Sequence, residues 1–173
     1  MWTRLLSILR HRWLADDAAL RAFAPDAQAR LAQRVRAGEL HHRGQVRVHI
    51  EGALPTSYLW RQQPMAQSVR QRALSLFGKL RVWDTEENNG VLIYLLLAER
   101  RLEIVADRGI HRKVAPDTWQ GLSEAMRAAF RAGAYEQGLT AAIDAVHALL
   151  TEHYPRAPAQ PGVNELPDGP TLS

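Results

Sequence analysis

An α/β fold, a three-layer α/β/α sandwich with a mixed sheet of about four strands, is what this sequence predicts, and three observations carry that reading. Residues 91–97 read VLIYLLL without a polar interruption, as expected of a central strand buried on both faces. Residues 45–51 alternate Val46, Val48 and Ile50 with Arg47, His49 and Glu51, the period of two of a second strand. Around these runs lie segments whose apolar residues recur at helical spacing. Strands that alternate with helices are buried most economically as a sheet between two helical layers.

The elements follow in order. Trp2, Leu5, Leu6, Leu9 and Trp13 fall on one helical stripe, with Arg4 and Arg12 off it. Such a segment packs on the domain, on a partner subunit or on a membrane surface. A second helix opens near Pro25 and Asp26, with Asp26 as cap, carries Leu31 and Val35 inward, and ends before Gly44. After the strand Gln45–Glu51, a connection containing Pro55 leads to a helix that Pro64 opens and Gly78 closes. Its stripe is Met65, Val69, Ala73 and Leu76. Leu80–Trp83 reads as a short strand or an extended lead-in. The polar loop Asp84–Gly90 precedes Val91–Leu97, and the short link Ala98–Arg101 makes Leu102–Ala106 its antiparallel partner. Two helices close the domain, the first with Trp119, Leu122, Met126 and Phe130 inward, the second with Leu139, Ile143, Val146 and Leu150, separated at Gly133. Residues 1–24 are thus an N-terminal amphipathic helical segment, 25–154 the domain, and 155–173 a tail. The tail holds five prolines and is ordered only if it docks.

Composition narrows the function classes. At 173 residues the chain has room for one domain and its tails. With no cysteine, disulfide and thiol chemistry are excluded, and any metal needs oxygen or imidazole ligands. Residues 1–50 carry nine Arg against four acids, a balance that suits phosphate or an anionic membrane surface, yet Arg outnumbers Lys 20 to 2 throughout, which points to a compositional bias. No recognised module points to nucleic acid. No run reaches the roughly 18 apolar residues of a transmembrane span, and Arg10-His11-Arg12 stands where a signal peptide needs small residues. The expectation is a soluble, cytoplasmic protein, with an unknown protein partner or peripheral membrane contact left open.

Asp84, Thr85, Glu86, Glu87, Asn88 and Asn89 stand together ahead of the buried strand. Carboxylates and amide carbonyls are hard ligands that suit Ca²⁺ or Mg²⁺. An EF-hand is ruled out, because counting from Asp84 the sixth position is Asn89 instead of Gly and the twelfth is Leu95 instead of Glu. Antiparallel pairing brings Asp107, just past the end of Leu102–Ala106, to the edge where Asn88 and Asn89 precede the neighbouring strand. Glu103 shares its strand face but lies about 13 Å back. A solvated turn at Asn89-Gly90 is the plainer alternative. Arg108, His111 and Arg112 follow Asp107 and suit either a phosphate beside the ion or a solvated basic turn. His41 and His42 are adjacent and, on a helix, point about 100° apart, which does not suit a zinc pair.

The run WDTEENNGVLIYLLL followed by LEIVADRGI, the Trp-bearing helix and the junction FRAGAYEQGL resemble the TPM domain family, named for thylakoid-lumen, photosystem-repair and receptor-modulator proteins. Upstream ELHHRGQVRVHIEGAL and the tail's NELPDGP are similar to a short, soluble bacterial branch of it. The resemblance covers roughly residues 25–155 and implies an α/β/α sandwich. Some members are acid phosphatases and some bind calcium through acidic and amide residues in loops at one sheet edge. Carried onto this chain, that implies Asp84, Asn88, Asn89 and Asp107 as metal ligands. The leading expectation is a metal-dependent phosphomonoesterase in which Asp107 positions the ion and Arg108 offsets the phosphate charge. The competing expectation is a non-enzymatic adaptor or structural module.

Overall fold

The computed structural model describes residues 18–61, 63–157 and 164–173; the Trp-bearing stretch 2–14 lies outside them. In chain order come α1 (Ala18–Ala22), α2 (Pro25–Glu39), β1 (Gln45–Glu51), α3 (Thr56–Leu59), α4 (Met65–Lys79), β2 (Gly90–Leu96), β3 (Arg101–Ala106), α5 (Arg108–His111), α6 (Pro116–Ala125), α7 (Arg127–Arg131), α8 (Tyr135–His153) and β4 (Thr171–Leu172). The sheet runs β3-β2-β1-β4. β1 is parallel to both β2 and β4, and β2 is antiparallel to β3.

β2 is buried along its whole length, and its two faces divide the core. Val91, Ile93 and Leu95 pack with Val46, Val48 and Ile50 under Leu31 and Val35 of α2 and Leu139, Ile143 and Val146 of α8. Leu92, Tyr94 and Leu96 pack under Val69, Ala73 and Leu76 of α4. These are the three layers the alternation requires.

Four details depart from the sequence expectations. Leu80–Trp83 is neither strand nor extended lead-in but a turn, with Val82 N–H donating to Phe77 O at 3.0 Å. Asp26 does not cap α2; its carboxylate pairs with Arg30 one turn on, at 2.7 Å, and the cap position is Ala24. The helix after Pro116 is interrupted at Met126, although Met126 N–H still donates to Leu122 O, so the inward stripe carries through to Phe130. The fourth strand comes from the tail.

That strand meets a need set by β1. Its second face is Gln45, Arg47, His49 and Glu51, and all four are buried. A buried polar group without a partner costs a few kcal/mol, and here each has one. Gln45 Oε1 accepts from the main-chain N–H groups of Glu165 and Leu166 at 3.0 and 3.1 Å. Arg47 donates to Pro167 O, and the His49 ring nitrogens meet Thr171 Oγ1 and Ser173 Oγ. Glu51 receives Arg72 of α4 at 2.5 Å and Tyr94 Oη at 2.6 Å. Ser173 N–H to Ile50 O and Gly52 N–H to Ser173 O complete the edge, at 3.0 and 2.7 Å. The tail is therefore part of the sheet.

A second buried polar contact joins the helical layer to the turn before β1. His42 Nε2 lies 2.6 Å from His147 Nδ1 of α8, and His42 Nδ1 lies 3.1 Å from Gly44 O. Gly38 makes room, since a Cβ there would sit 2.2 Å from the His147 ring. Burial pushes His42 down to about 3 and His147 and His49 down to about 4. Burial, aided by the neighbouring Asp168, pushes Glu39 up to about 7.

Two outcomes follow from these contacts. A chain ending at Ala157 uncovers the polar face of β1 and Leu166, and should lose about 3 kcal/mol of stability; an unchanged melting temperature would show that docking contributes nothing. The second concerns pH. The folded state keeps three imidazoles neutral, so the unfolded state binds the extra protons as pH falls below 6.5 and stability drops. Glu39, held protonated when folded, acts in the opposite sense above 4.5. Three groups against one leave stability falling by roughly 2–3 kcal/mol from about pH 6 to about pH 5. Urea unfolding across that window should give this slope, steeper in Glu39→Gln; a flat wild-type profile contradicts it.

Candidate metal centre at the sheet edge

The edge where β2 begins and β3 ends is closed by Asp107 N–H donating to Gly90 O at 2.9 Å. The loop ahead of β2 is folded tightly against it. Asn88 N–H donates to Thr85 O at 3.2 Å and Asn89 N–H to Thr85 Oγ1 at 3.1 Å. Asn88 sits at φ 53°, a left-handed conformation that Asn tolerates. On the opposite side Asp107 caps α5, its Oδ1 accepting from Arg108 N–H at 2.7 Å.

Loop and cap are tied together. Arg108 Nε donates to Asn88 Oδ1 at 2.8 Å, and Gly109 N–H to Asn88 O at 2.9 Å. Gly109 is where the backbones meet: a Cβ would lie 2.5 Å from both Glu87 O and Asn88 O and 2.9 Å from Tyr154 Oη. Asn89 Nδ2 donates to Arg43 O at 3.1 Å and reaches Glu87 Oε2 at 3.4 Å, while Arg43 pairs with Glu87.

Two oxygens at this edge are left over. Asn89 Oδ1 and Asp107 Oδ2 are buried and have no hydrogen-bond partner. Asn89 immediately precedes β2 and Asp107 immediately follows β3, so both stand at the Asp107 N–H to Gly90 O bond that closes this edge. Buried polar atoms are nearly always satisfied, so an orphaned carboxylate oxygen calls for an explanation. Tyr154 reports on the same pocket of charge: burial raises its phenol above the usual range, and the carboxylates of Glu87 and Asp107 add to that rise.

The predicted site residues thus fall into two sets. Asn88, Asn89, Asp107 and Arg108 come together. Asp84 does not join them through its side chain, which is exposed, with only its main-chain N–H turned back to Arg81 O at 2.9 Å. His111 and Arg112 are exposed further along α5 and the turn that follows it, and His111 lines a different cleft. Glu87, Arg43 and Tyr154 complete the edge. Of these the sequence marks only Glu87, as one of the loop acids. Arg43 and Tyr154 are brought in by tertiary packing and carry no local signal. Among the described residues no group of three or more His, Cys, Asp or Glu converges. An ion here would rest on a mixed set of carboxylate, amide and main-chain oxygens, which suits a hard cation such as Ca²⁺ or Mg²⁺.

A layered α/β/α domain with an oxygen-lined edge beside its central hairpin is the class that fold and site define. The chain belongs to the TPM domain family (TPM_phosphatase), whose model matches residues 16–149. It is similar to the BA42 protein of the psychrophilic bacterium Bizionia argentinensis, solved by NMR. The two are 26% identical over 86% of this chain and 94% of that one, with a TM-score of 0.70. The N-terminal domain of a P. gingivalis protein, also an NMR structure, shares the fold at 22% identity. That likeness covers 83% of this chain and 91% of that one, with a TM-score of 0.57. No curated protein matches. Among the described residues no helix is long and apolar enough to cross a membrane.

Proposed function

We propose that this TPM domain is a divalent-cation-binding module whose site is the β2–β3 edge, with Asn89 Oδ1 and Asp107 Oδ2 as its core ligands. The observation that supports the reading is the pair of buried oxygens without donors. An ionised Asp107 Oδ2 without a donor is costly in the free protein, and a cation offsets that cost. Glu87 and the main-chain carbonyls beside Gly109 are the further oxygens at hand. Asp84, exposed on the loop, is a ligand only if the loop turns.

A phosphomonoesterase is the finer reading, and the family's name together with the position of Arg108 favours it. A bound cation would supply charge to polarise a phosphoryl oxygen. Asp107 would position the ion, and Arg108, exposed one residue on and oriented by Asn88 Oδ1, would offset the charge of the phosphate. The adaptor reading differs only in lacking turnover.

The cation site makes a crossed prediction. In chelator-treated buffer Asp107→Asn should be at least as stable as wild type, because a neutral amide replaces a carboxylate whose buried Oδ2 has no donor, and Asn also serves as a cap. With Ca²⁺ or Mg²⁺ at about 100 times its Kd, wild type should gain about 2.7 kcal/mol, or roughly 5–10 °C in melting temperature, and the variant nothing. No gain in wild type with either ion sinks the site. For the enzyme, hydrolysis of a generic aryl phosphate should depend on the ion and fall about 100-fold or more in Arg108→Ala, with cation binding retained. Binding without turnover in wild type leaves the adaptor.

A further inference from the structure

Among the described residues no strand pairs with the outer side of β3, the edge of the sheet away from the tail. The Asp107 N–H to Gly90 O bond fixes the alternation of the β2–β3 ladder, so Arg101, Glu103 and Val105 turn their main chain towards β2. Leu102, Ile104 and Ala106 turn theirs outward. That outward edge is the floor of a cleft of about 480 Å³ between α4 and α6.

The cleft walls are charged with one sign in excess. Arg70, Arg100, Arg101 and Arg127 line it against Glu103 and Glu124. Glu103 is met by both Arg101 at 3.1 Å and Arg70 at 3.6 Å, and Glu124 by Arg127 at 2.8 Å. Two guanidinium charges therefore have no matching carboxylate among the lining residues. The Arg70 side chain also reaches round the edge to donate to Ile104 O at 2.6 Å, standing where the N–H of an added strand would stand.

We infer that this cleft is a docking groove for an extended acidic peptide segment of a partner protein, added as a strand along β3. Main-chain bonds to Leu102, Ile104 and Ala106 supply the affinity, and the excess Arg charge selects acidic side chains. On docking, a peptide N–H takes over Ile104 O, and Arg70 swings to a peptide carboxylate. The inference is independent of the cation edge.

The test uses the full chain and a fluorescein-labelled, acetylated and amidated peptide VEVEVEV, with VKVKVKV as its counterpart. Anisotropy at 50 mM salt should detect binding of the Glu peptide at least 10-fold tighter than the Lys peptide, weakening as salt rises. The main-chain amides of Leu102, Ile104 and Ala106 should gain protection from hydrogen exchange in the complex. Ala106→Pro removes one outward N–H without touching the ladder and should weaken binding at least 10-fold. Arg70→Gln with Arg101→Gln cancels the charge excess and should abolish the preference for Glu. Equal binding of both peptides, or protection elsewhere in the chain, overturns the inference. So does concentration-dependent dimerisation through this edge that excludes the peptide, because the occupant is then a second copy.

Discussion

A central strand cannot be buried with four polar side chains on one face unless something answers each of them, and that condition organises much of this domain. On β1 the other face is Val46, Val48 and Ile50, which places the strand firmly in the core. Gln45, Arg47, His49 and Glu51 are then buried by the same act. Two segments far apart in the chain resolve the conflict. α4 brings Arg72, which with Tyr94 of β2 holds the Glu51 carboxylate. The tail brings main-chain donors and acceptors to Gln45 and Arg47 and two hydroxyls to His49. The register is thereby specified twice, once by apolar packing and once by hydrogen bonding. A slip by one residue would bury the charges against α2 and α8.

The β2–β3 hairpin plays the corresponding part for the site. It is rigid because β2 is buried on both faces, and its last rung fixes where Asn89 and Asp107 stand. Most polar groups at that edge are fully engaged: Asn88 by Arg108 and Gly109, Asn89 Nδ2 by Arg43, Asp107 Oδ1 by the first turn of α5. Against such complete pairing, Asn89 Oδ1 and Asp107 Oδ2 are left without donors at one edge. Glycine at 109 lets the loop carbonyls approach α5 closely, so the oxygen density there is built by backbone as much as by side chains.

Much of the fold was legible in the sequence because periodicity reports burial directly. VLIYLLL gave a strand covered twice, and QVRVHIE a strand with distinct faces. What periodicity could not say is what would cover the polar face of β1. The tail carries few large apolar groups, and its docking rests on main-chain bonds and scattered polar side chains such as Thr171 and Ser173, which leave no periodic pattern; only Leu166 hints at it. Leu80–Trp83 misled for the opposite reason: Val82 is buried as a strand residue would be, but within a turn against Gly90. At the site, Asn88, Asn89, Asp107 and Arg108 could be placed together because antiparallel pairing is a local rule. Asp84 could not be separated from them, because loop acids look alike in sequence and only the fold decides which turn outward. His147, the partner of His42, sits 105 residues away and carries no local mark of its role.

The two sheet edges show how differently one domain can treat the same exposed main chain. At β1 the tail adds a strand and answers both backbone and side chains, so that edge is closed in cis. At β3 Arg70 covers the Ile104 carbonyl. Proteins commonly protect such edges with charge, and β3 carries Arg101 and Glu103. Charge of mixed sign repels little that is itself mixed, whereas a net excess of arginine discriminates. It disfavours a second basic edge, including that of another copy, and leaves an acidic strand unopposed. Protection against indiscriminate pairing and selectivity for one class of partner are here the same arrangement of side chains.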